Sequence, residues 1–224
     1  MNLGLKSFRR LARNRSGVAM TEFALSLPLL LTAGLYGTET AHLALMHMKV
    51  AQVAMQLADD GSRIGDTSTL TNRKIYESDI NDLILGSSIQ ATGLDFYGHG
   101  RTIISSLEVT TDGTSQQYIH WQRCKGVKNW ASHYGNAGDL VTGMGAAGQQ
   151  LTAPPGGAVI FVEVAYDYQP LISRRFFGPT TISTTAAFIV RDSRDLTQIY
   201  QLDPANPSPV ADCSTYSDVP AVNV

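Results

Sequence analysis

The feature that most constrains this chain is a long stretch without lysine or arginine, which runs from Ser16 to Met48 and contains only two acids, Glu22 and Glu39. A helix needs about 20 apolar residues to cross a bilayer, and this stretch provides them. Basic residues crowd the preceding segment, at Lys6, Arg9, Arg10, Arg13 and Arg15. A basic flank before an apolar helix predicts that the N-terminus stays in the cytoplasm and that the following chain crosses the membrane.

Glu22 lies inside the apolar stretch, shortly after the small-residue junction between Gly17 and Val18. An ionised carboxylate in such a segment costs at least a few kcal/mol, so it requires a partner. Cleavage between Gly17 and Val18 would create an α-amino group one helical turn from Glu22, on the same helix face. The carboxylate would then pair with that ammonium, with the positive end of the helix dipole or with a neighbouring subunit. A simpler interpretation is a glutamate near the helix start that extends to the lipid headgroups.

The segment Arg15–Leu31, which reads RSGVAMTEFALSLPLLL, resembles the leader and membrane anchor of the TadE-like pseudopilins. These are minor subunits in the tight-adherence (Tad/Flp) branch of bacterial type IV pili. The family pattern is a basic stretch, a glycine, a few small residues, Glu-Phe-Ala and an apolar run that begins with Leu-Pro-Leu. The segments Trp121–Cys124 and Ala165–Leu171 carry a weaker resemblance to such proteins.

The resemblance implies that a prepilin peptidase cuts after Gly17, so that Val18 begins the mature chain. It also implies that Glu22 and Phe23 act in membrane extraction or subunit registration during assembly of an adhesive pilus. Ala24 stands where major pilins commonly have tyrosine, which indicates a minor subunit.

The resemblance further implies a set of partners and a location. The partners are the peptidase, other pilins or pseudopilins, the inner-membrane assembly platform and the membrane itself. The location is the bacterial inner membrane, with a cytoplasmic N-terminus, a periplasmic C-terminal domain and incorporation into an extracellular pilus as a further state. Priming, capping and anchoring of the pilus all stay open as roles.

Residues 18–60 predict one continuous helix, because they contain a single proline and few other helix breakers. At ~1.5 Å per residue this rod is roughly 60 Å long, about twice a bilayer core, so only its N-terminal half spans the membrane. Pro28 removes a backbone hydrogen bond and predicts a kink. The distal half has an apolar stripe at helical spacing. The stripe consists of Met46, Val50, Val53 and Leu57.

The chain beyond the rod predicts one short helix and four strands with alternating apolar residues. The helix is 78–85, and the strands are 102–110, 117–124, 158–168 and 181–191. This alternation is typical of an antiparallel sheet with one buried and one solvated face, and it places Ile119 and Trp121 on the same face. The pilin plan lays the sheet against the distal half of the long helix, so the predicted fold class is α+β.

The predicted division of the chain is a basic cytoplasmic leader (1–17), the helix (18–60), a globular domain outside the cytoplasm (61–203) and a proline-rich tail (204–224). Two widely spaced cysteines in a translocated domain favour a disulfide over a metal site. A bond between Cys124 and Cys213 would close a loop of about ninety residues, worth ~4 kcal/mol in the chain-entropy model. Two free thiols are the alternative, and then nothing is expected to hold the tail. The glycine-rich segment 125–157 is either a contact surface or a loose excursion.

The sequence carries no pattern that favours an enzyme, a cofactor, a small-molecule substrate or a metal site. Gly143–Gly148 satisfies G-x-G-x-x-G, but the following Gln149–Pro155 is too soon broken by proline to form the helix of a dinucleotide site. His42 and His47 are not on one helix face, which argues against a shared metal ion. The net charge of −2, with scattered basic residues beyond the leader, gives no reason to expect a nucleic-acid partner.

Two other interpretations fit the same N-terminus. The first is an uncleaved, single-pass envelope protein whose periplasmic domain binds a partner, and in which Glu22 has no special role. The second is an exported enzyme or adhesin released by a signal peptidase near Ala33 or Gly37, although no good A-x-A site follows the apolar segment.

Overall fold

The computed structural model describes residues 17–66 and 72–219, and it has an α+β fold in which a long helix packs against an antiparallel sheet. Helix α1, Val18–Gly61, is one continuous element, as predicted. It begins directly after Gly17, which provides no side-chain cap. The basic leader before Gly17 and the last residues of the proline-rich tail lie outside the described residues.

The N-terminal half of α1 touches almost nothing else in the structure. Along residues 18–38, the methionine, the aromatic side chains and every leucine except the half-buried Leu27 are exposed. By length and hydropathy α1 is able to cross a membrane, and none of the apolar window that qualifies it is buried. Because exposed apolar surface of this extent is unfavourable in water, residues 18–38 form a candidate membrane anchor.

The distal half of α1 is a core element of the globular domain. The predicted stripe is confirmed, since Val50, Val53 and Leu57 are buried in the core and Met46 packs against its edge. Side chains at this spacing share one helix face, which gives the helix a single apolar side to bury. Burial of each side chain of this size contributes roughly 1.5–3 kcal/mol.

The sheet has five strands in the order β3-β2-β1-β4-β5, and every neighbouring pair is antiparallel. The strands are β1 (Gly100–Val109), β2 (Gln117–Lys125), β3 (Leu140–Val141), β4 (Ala158–Asp167) and β5 (Thr181–Ile189). Four of them match the predicted strands closely. The short edge strand β3 is too brief to show an alternating pattern. Helix α1 crosses β4 and β5.

Three shorter helices complete the described part of the fold. They are α2 (Glu77–Gln90), α3 (Phe96–His99) and α4 (Arg174–Phe177). Helix α2 was predicted as 78–85, and its buried face includes Ile80 and Ile84 as expected. At its start, the Asp79 carboxylate accepts a hydrogen bond from the Tyr76 backbone N–H at 3.0 Å, which satisfies a donor that the helix leaves free.

Arg194, in the chain after β5, closes the C-terminal end of α1. Its guanidinium donates to the Ile64 carbonyl at 2.8 Å and to the Gly61 carbonyl at 3.3 Å. These contacts satisfy carbonyls near the helix end, and the positive charge complements the helix dipole. Burial lowers the pKa of Arg194 to about 10, so the side chain stays charged at neutral pH.

A bulge at His120 in β2 overturns one predicted face assignment. Leu107 pairs with Ile119, whereas the preceding Ser106 pairs with Trp121, so His120 has no partner in this ladder. One extra residue in a strand reverses the side to which the following side chains point. Trp121 therefore packs in the core beneath α1, while Ile119 packs on the opposite face of the sheet. The prediction that these two residues share a face is wrong for this reason.

The expectation of one solvated sheet face is also wrong for the central strands β1 and β4. The glycine-rich segment between β2 and β4 folds over the side opposite α1, where its Met144 and Ala153 are buried with Phe161. On the same face, the Glu163 carboxylate accepts a hydrogen bond from Ser132 Oγ at 2.5 Å. The segment is thus a packed cover rather than a loose excursion, and β1 and β4 are buried on both sides.

We expect Leu57→Ala to destabilise the protein by about 2–5 kcal/mol, because truncation of a buried leucine loses apolar contacts and leaves a cavity. Leu57 is only 1% exposed. Met55 is 53% exposed on the same helix, so Met55→Ala is the matched control and should change stability by no more than about 0.5 kcal/mol. Urea unfolding of the full chain in detergent micelles measures the stability change caused by each substitution. Equal effects would contradict the packing described.

Candidate functional site

The predicted processing and registration residues lie together at the N-terminal end of α1. Gly17 immediately precedes the helix, Val18 is its first residue, and Glu22 and Phe23 follow about one turn later. All four are exposed. Within the described part of the chain, the Glu22 carboxylate has no ion-pair partner. The described residues therefore leave these four positions exposed at the end of α1.

Pro28 lies inside α1, and the helix continues through it. The proline ring has no N–H to donate to the Ala24 carbonyl, so the anchor lacks one backbone hydrogen bond. One turn later, Thr32 Oγ1 donates to the Pro28 carbonyl at 2.7 Å. The kink expected at Pro28 stays a prediction.

Glu39, the second acid of the apolar stretch, is fully buried where α1 meets the domain, with a relative exposure of 0%. The loop after β4 surrounds its carboxylate. The backbone N–H groups of Leu171 and Ile172 donate to it at 3.2 Å and 3.0 Å, and the Tyr168 hydroxyl donates a third hydrogen bond. We call this arrangement the Glu39 clamp. Sequence reasoning did not single it out, and the available signal was an acid within an otherwise apolar helix.

Tyr168 connects Glu39 to His42. The Tyr168 hydroxyl has one hydrogen, which it donates to Glu39, so it accepts a hydrogen bond from Nδ1 of His42 at 2.8 Å. Burial and the neighbouring carboxylate raise the pKa of Tyr168, which keeps the hydroxyl protonated as a donor. Burial raises the pKa of Glu39, but the hydrogen bonds from Tyr168 and two backbone amides outweigh it, and the pKa lies below its ordinary value.

The two carboxylates of α1 are separated by about one membrane thickness. At ~1.5 Å per residue, Glu22 and Glu39 lie roughly 25 Å apart along the helix axis. The hydrocarbon core of a bilayer is ≈ 30 Å thick, so in a membrane-spanning α1 each carboxylate would fall close to one of its two boundaries. Their surroundings differ, because Glu39 is held by the domain and Glu22 is exposed.

The structure joins Cys124 and Cys213 in a disulfide, which ties the proline-rich tail to β2. The buried Arg101 also holds the tail, since its guanidinium donates to the carbonyls of Cys213 at 2.5 Å and Thr215 at 3.0 Å. It also lies over the ring of Tyr216, at 4.0 Å from the centroid. Contacts of Arg101 therefore hold the tail in addition to the disulfide, which the sequence does not predict. Contacts of this kind join distant parts of the chain and leave no local pattern in the sequence.

A cleft of about 530 Å³ opens at the same end of the sheet as the Glu39 clamp. Its lining includes Arg174 and the ion pair of Lys128 Nζ with Asp167 Oδ1 at 2.5 Å. Over residues 17–66 and 72–219, no group of three or more His, Cys, Asp or Glu side chains is placed to hold a metal ion. The G-x-G-x-x-G stretch lies in the loop that covers the sheet.

No family model matches the chain, and the comparisons with curated proteins and with solved structures also gave no match. The resemblance to TadE-like pseudopilins therefore rests on sequence motifs alone, chiefly on the residues from Arg15 to Leu31. The chemistry that stands out is the pair of carboxylates on α1, of which one is buried with its hydrogen bonds satisfied and the other is exposed.

We expect Glu39→Gln to lower the stability of the domain at neutral pH, because an amide accepts these hydrogen bonds less strongly than a carboxylate. A carboxyl whose folded pKa is depressed stabilises the fold above its ordinary pKa of 4.5. That contribution is lost as the pH falls through the lower, folded value. The wild type should therefore be more stable than Glu39→Gln at neutral pH, and this difference in stability should vanish in strong acid. Urea midpoints of the full chain in detergent, across a pH series, measure it.

The control for this pH series is Glu22→Gln on the same helix. Because Glu22 is exposed and has no ion-pair partner within the described residues, this substitution should leave the midpoint unchanged. Identical midpoints for the wild type and Glu39→Gln at neutral pH would show that the Glu39 clamp does not stabilise the domain.

Proposed function

We propose that this chain is a non-enzymatic minor pseudopilin of a Tad/Flp-type adhesive pilus, trimmed by a prepilin peptidase and then paired with other subunits. The observation that carries the proposal is the exposed N-terminal half of α1, which begins at Val18 and presents the Glu22 carboxylate. The described part of the domain offers this carboxylate no ion-pair partner. A neighbouring subunit is the proposed source of one.

The first step of the proposed function is insertion into the inner membrane. Residues 18–38 are predominantly apolar, and nearly all of them are exposed. As a helix they rise roughly 30 Å, about one hydrocarbon core. The basic residues that precede them favour a cytoplasmic N-terminus, which places the sheet domain in the periplasm. The disulfide between Cys124 and Cys213 suits that oxidising compartment.

The second step is cleavage after Gly17, which leaves Val18 as the mature N-terminus. The new ammonium adds positive charge at the end of α1 that already carries the positive pole of the helix dipole. A carboxylate nearby compensates for the charge of the ammonium and for the positive pole of the dipole. Within one chain Glu22 lies one turn away, and between chains the same pairing fixes how far one helix is shifted along the next.

The third step is assembly into, or beneath, a pilus. Because α1 is continuous from the anchor into the core, displacement of its N-terminal half moves the sheet domain with it. Of the two acids on α1, Glu39 is engaged within its own chain, which leaves Glu22 for contact between subunits. Priming, capping and anchoring of the fibre are the roles compatible with this arrangement. The protein is a substrate of the peptidase and catalyses no reaction itself.

We expect Glu22→Ala to abolish or strongly reduce pilus assembly while the domain stays folded, because it removes the carboxylate proposed to pair with the Val18 ammonium. The amount of pilus sheared from the host bacterium, measured by immunoblot, reports assembly. Ser26→Ala is the matched control, since Ser26 is exposed one turn further along α1 and should be dispensable.

Assembly at the wild-type level in the Glu22→Ala strain would rule out the registration role.

A further variant, Gly17→Leu, separates the pseudopilin from an uncleaved envelope protein. The pseudopilin should accumulate with its leader intact and fail to assemble, whereas a protein that is never cut would be indifferent to the change.

A further inference from the structure

We propose that the loop between β4 and β5 forms a second membrane contact. In this contact Leu171 and Ile172 enter the lipid interface, and Arg174 and Arg175 bind anionic phospholipid headgroups. This inference goes beyond the proposed role in pilus assembly, and it requires only that residues 18–38 span a membrane.

The loop lies at the level where the membrane-spanning segment ends. The backbone N–H groups of Leu171 and Ile172 donate to Glu39, which fixes the loop beside this turn of α1. From Val18 to Glu39 the helix rises roughly 30 Å, which is the thickness of the hydrocarbon core. A helix that starts at one membrane boundary therefore brings Glu39 and the loop to the opposite boundary.

An aromatic pair joins the loop to the membrane helix at the same level. The rings of Tyr36 and Phe177 stack with their centroids 5.4 Å apart. Tyr36 lies on the exposed half of α1, one turn before Glu39. Aromatic side chains are enriched at membrane–water interfaces, so this pair suits the headgroup level.

Two aliphatic side chains project from the loop into solvent. Leu171 is 62% exposed and Ile172 is 37% exposed, although their backbone N–H groups are engaged by the Glu39 clamp. The exposed apolar surface thus continues from the helix onto the loop. A lipid interface would cover both parts of this surface at once.

The charge of the loop complements an anionic lipid surface. Arg174 and Arg175 are exposed, and the chain contains no acid between Asp167 and Asp192. Within residues 17–66 and 72–219 neither arginine forms an ion pair, and Arg174 donates to the neutral side chain of Gln169. Basic residues beside a membrane anchor are attracted to anionic headgroups, so these two arginines reinforce the apolar contact.

The test uses the full chain in lipid nanodiscs, with an environment-sensitive fluorophore attached to a single introduced cysteine. The native cysteines are bonded to each other, so the fluorophore reacts only with the thiol of Leu171→Cys. Leu140→Cys is the matched control, because Leu140 is 61% exposed on β3 at the other end of the sheet. We expect nitroxide-labelled lipids to quench the fluorophore at position 171 and to leave the one at position 140 unquenched.

The arginines are tested by comparing phosphatidylcholine nanodiscs with nanodiscs that contain equal amounts of phosphatidylcholine and phosphatidylglycerol. Quenching at position 171 should rise with the anionic lipid. The combined Arg174→Gln and Arg175→Gln substitutions should remove most of that rise. Arg63→Gln, which changes an exposed arginine just beyond the distal end of α1, should leave it unchanged.

Equal quenching at positions 171 and 140 would overturn the proposal. Protection of position 171 in detergent that grows with protein concentration would also overturn it, since the surface would then belong to a contact between two copies of the chain. The proposed role of the arginines would be wrong if phosphatidylglycerol did not change quenching at position 171 in the labelled protein that keeps both arginines.

Discussion

The hydrogen bonds donated to the Glu39 carboxylate fix the place where α1 leaves its domain. On the N-terminal side of Glu39 the helix is apolar and exposed, and on the other side Val50, Val53 and Leu57 form part of the core. One helix thus serves two environments, and the loop after β4 marks the change between them. Glu22 lies at the far end of the exposed half. The two acids thus differ in their partners, since Glu39 is held by the chain's own domain and Glu22 is proposed to pair with a neighbouring subunit.

The elements that could be predicted from the sequence are those that follow from side-chain periodicity. The bounds of α1, its stripe from Met46 to Leu57 and four of the five strands all match the structure. These features depend on which residues share a helix face or a strand face, and that information is local. The Cys124–Cys213 bond was open between two alternatives, and the sheet order was not readable, because both depend on how distant segments meet.

The features that the sequence does not predict correctly also have physical causes. The bulge at His120 separates Ile119 from Trp121, and no residue type marks it in the sequence. The cover over the second sheet face comes from a glycine-rich segment in which Met144 and Ala153 are the apolar residues buried against the sheet. The role of Glu39 is not visible in the sequence, because its three donors are a tyrosine and two backbone amides more than a hundred residues away. The sequence shows an acid within an apolar helix, but it does not show which loop donates hydrogen bonds to that acid.

The most direct test of the account is the N-terminal residue of the mature protein, determined by intact-mass spectrometry of material purified from its native host. The account predicts a chain that begins at Val18, because cleavage after Gly17 creates the ammonium that Glu22 is proposed to bind. An intact N-terminal leader would contradict it and favour an anchored envelope protein. A mature chain that begins beyond residue 30 would contradict it as well, since the membrane segment and Glu22 would both be gone.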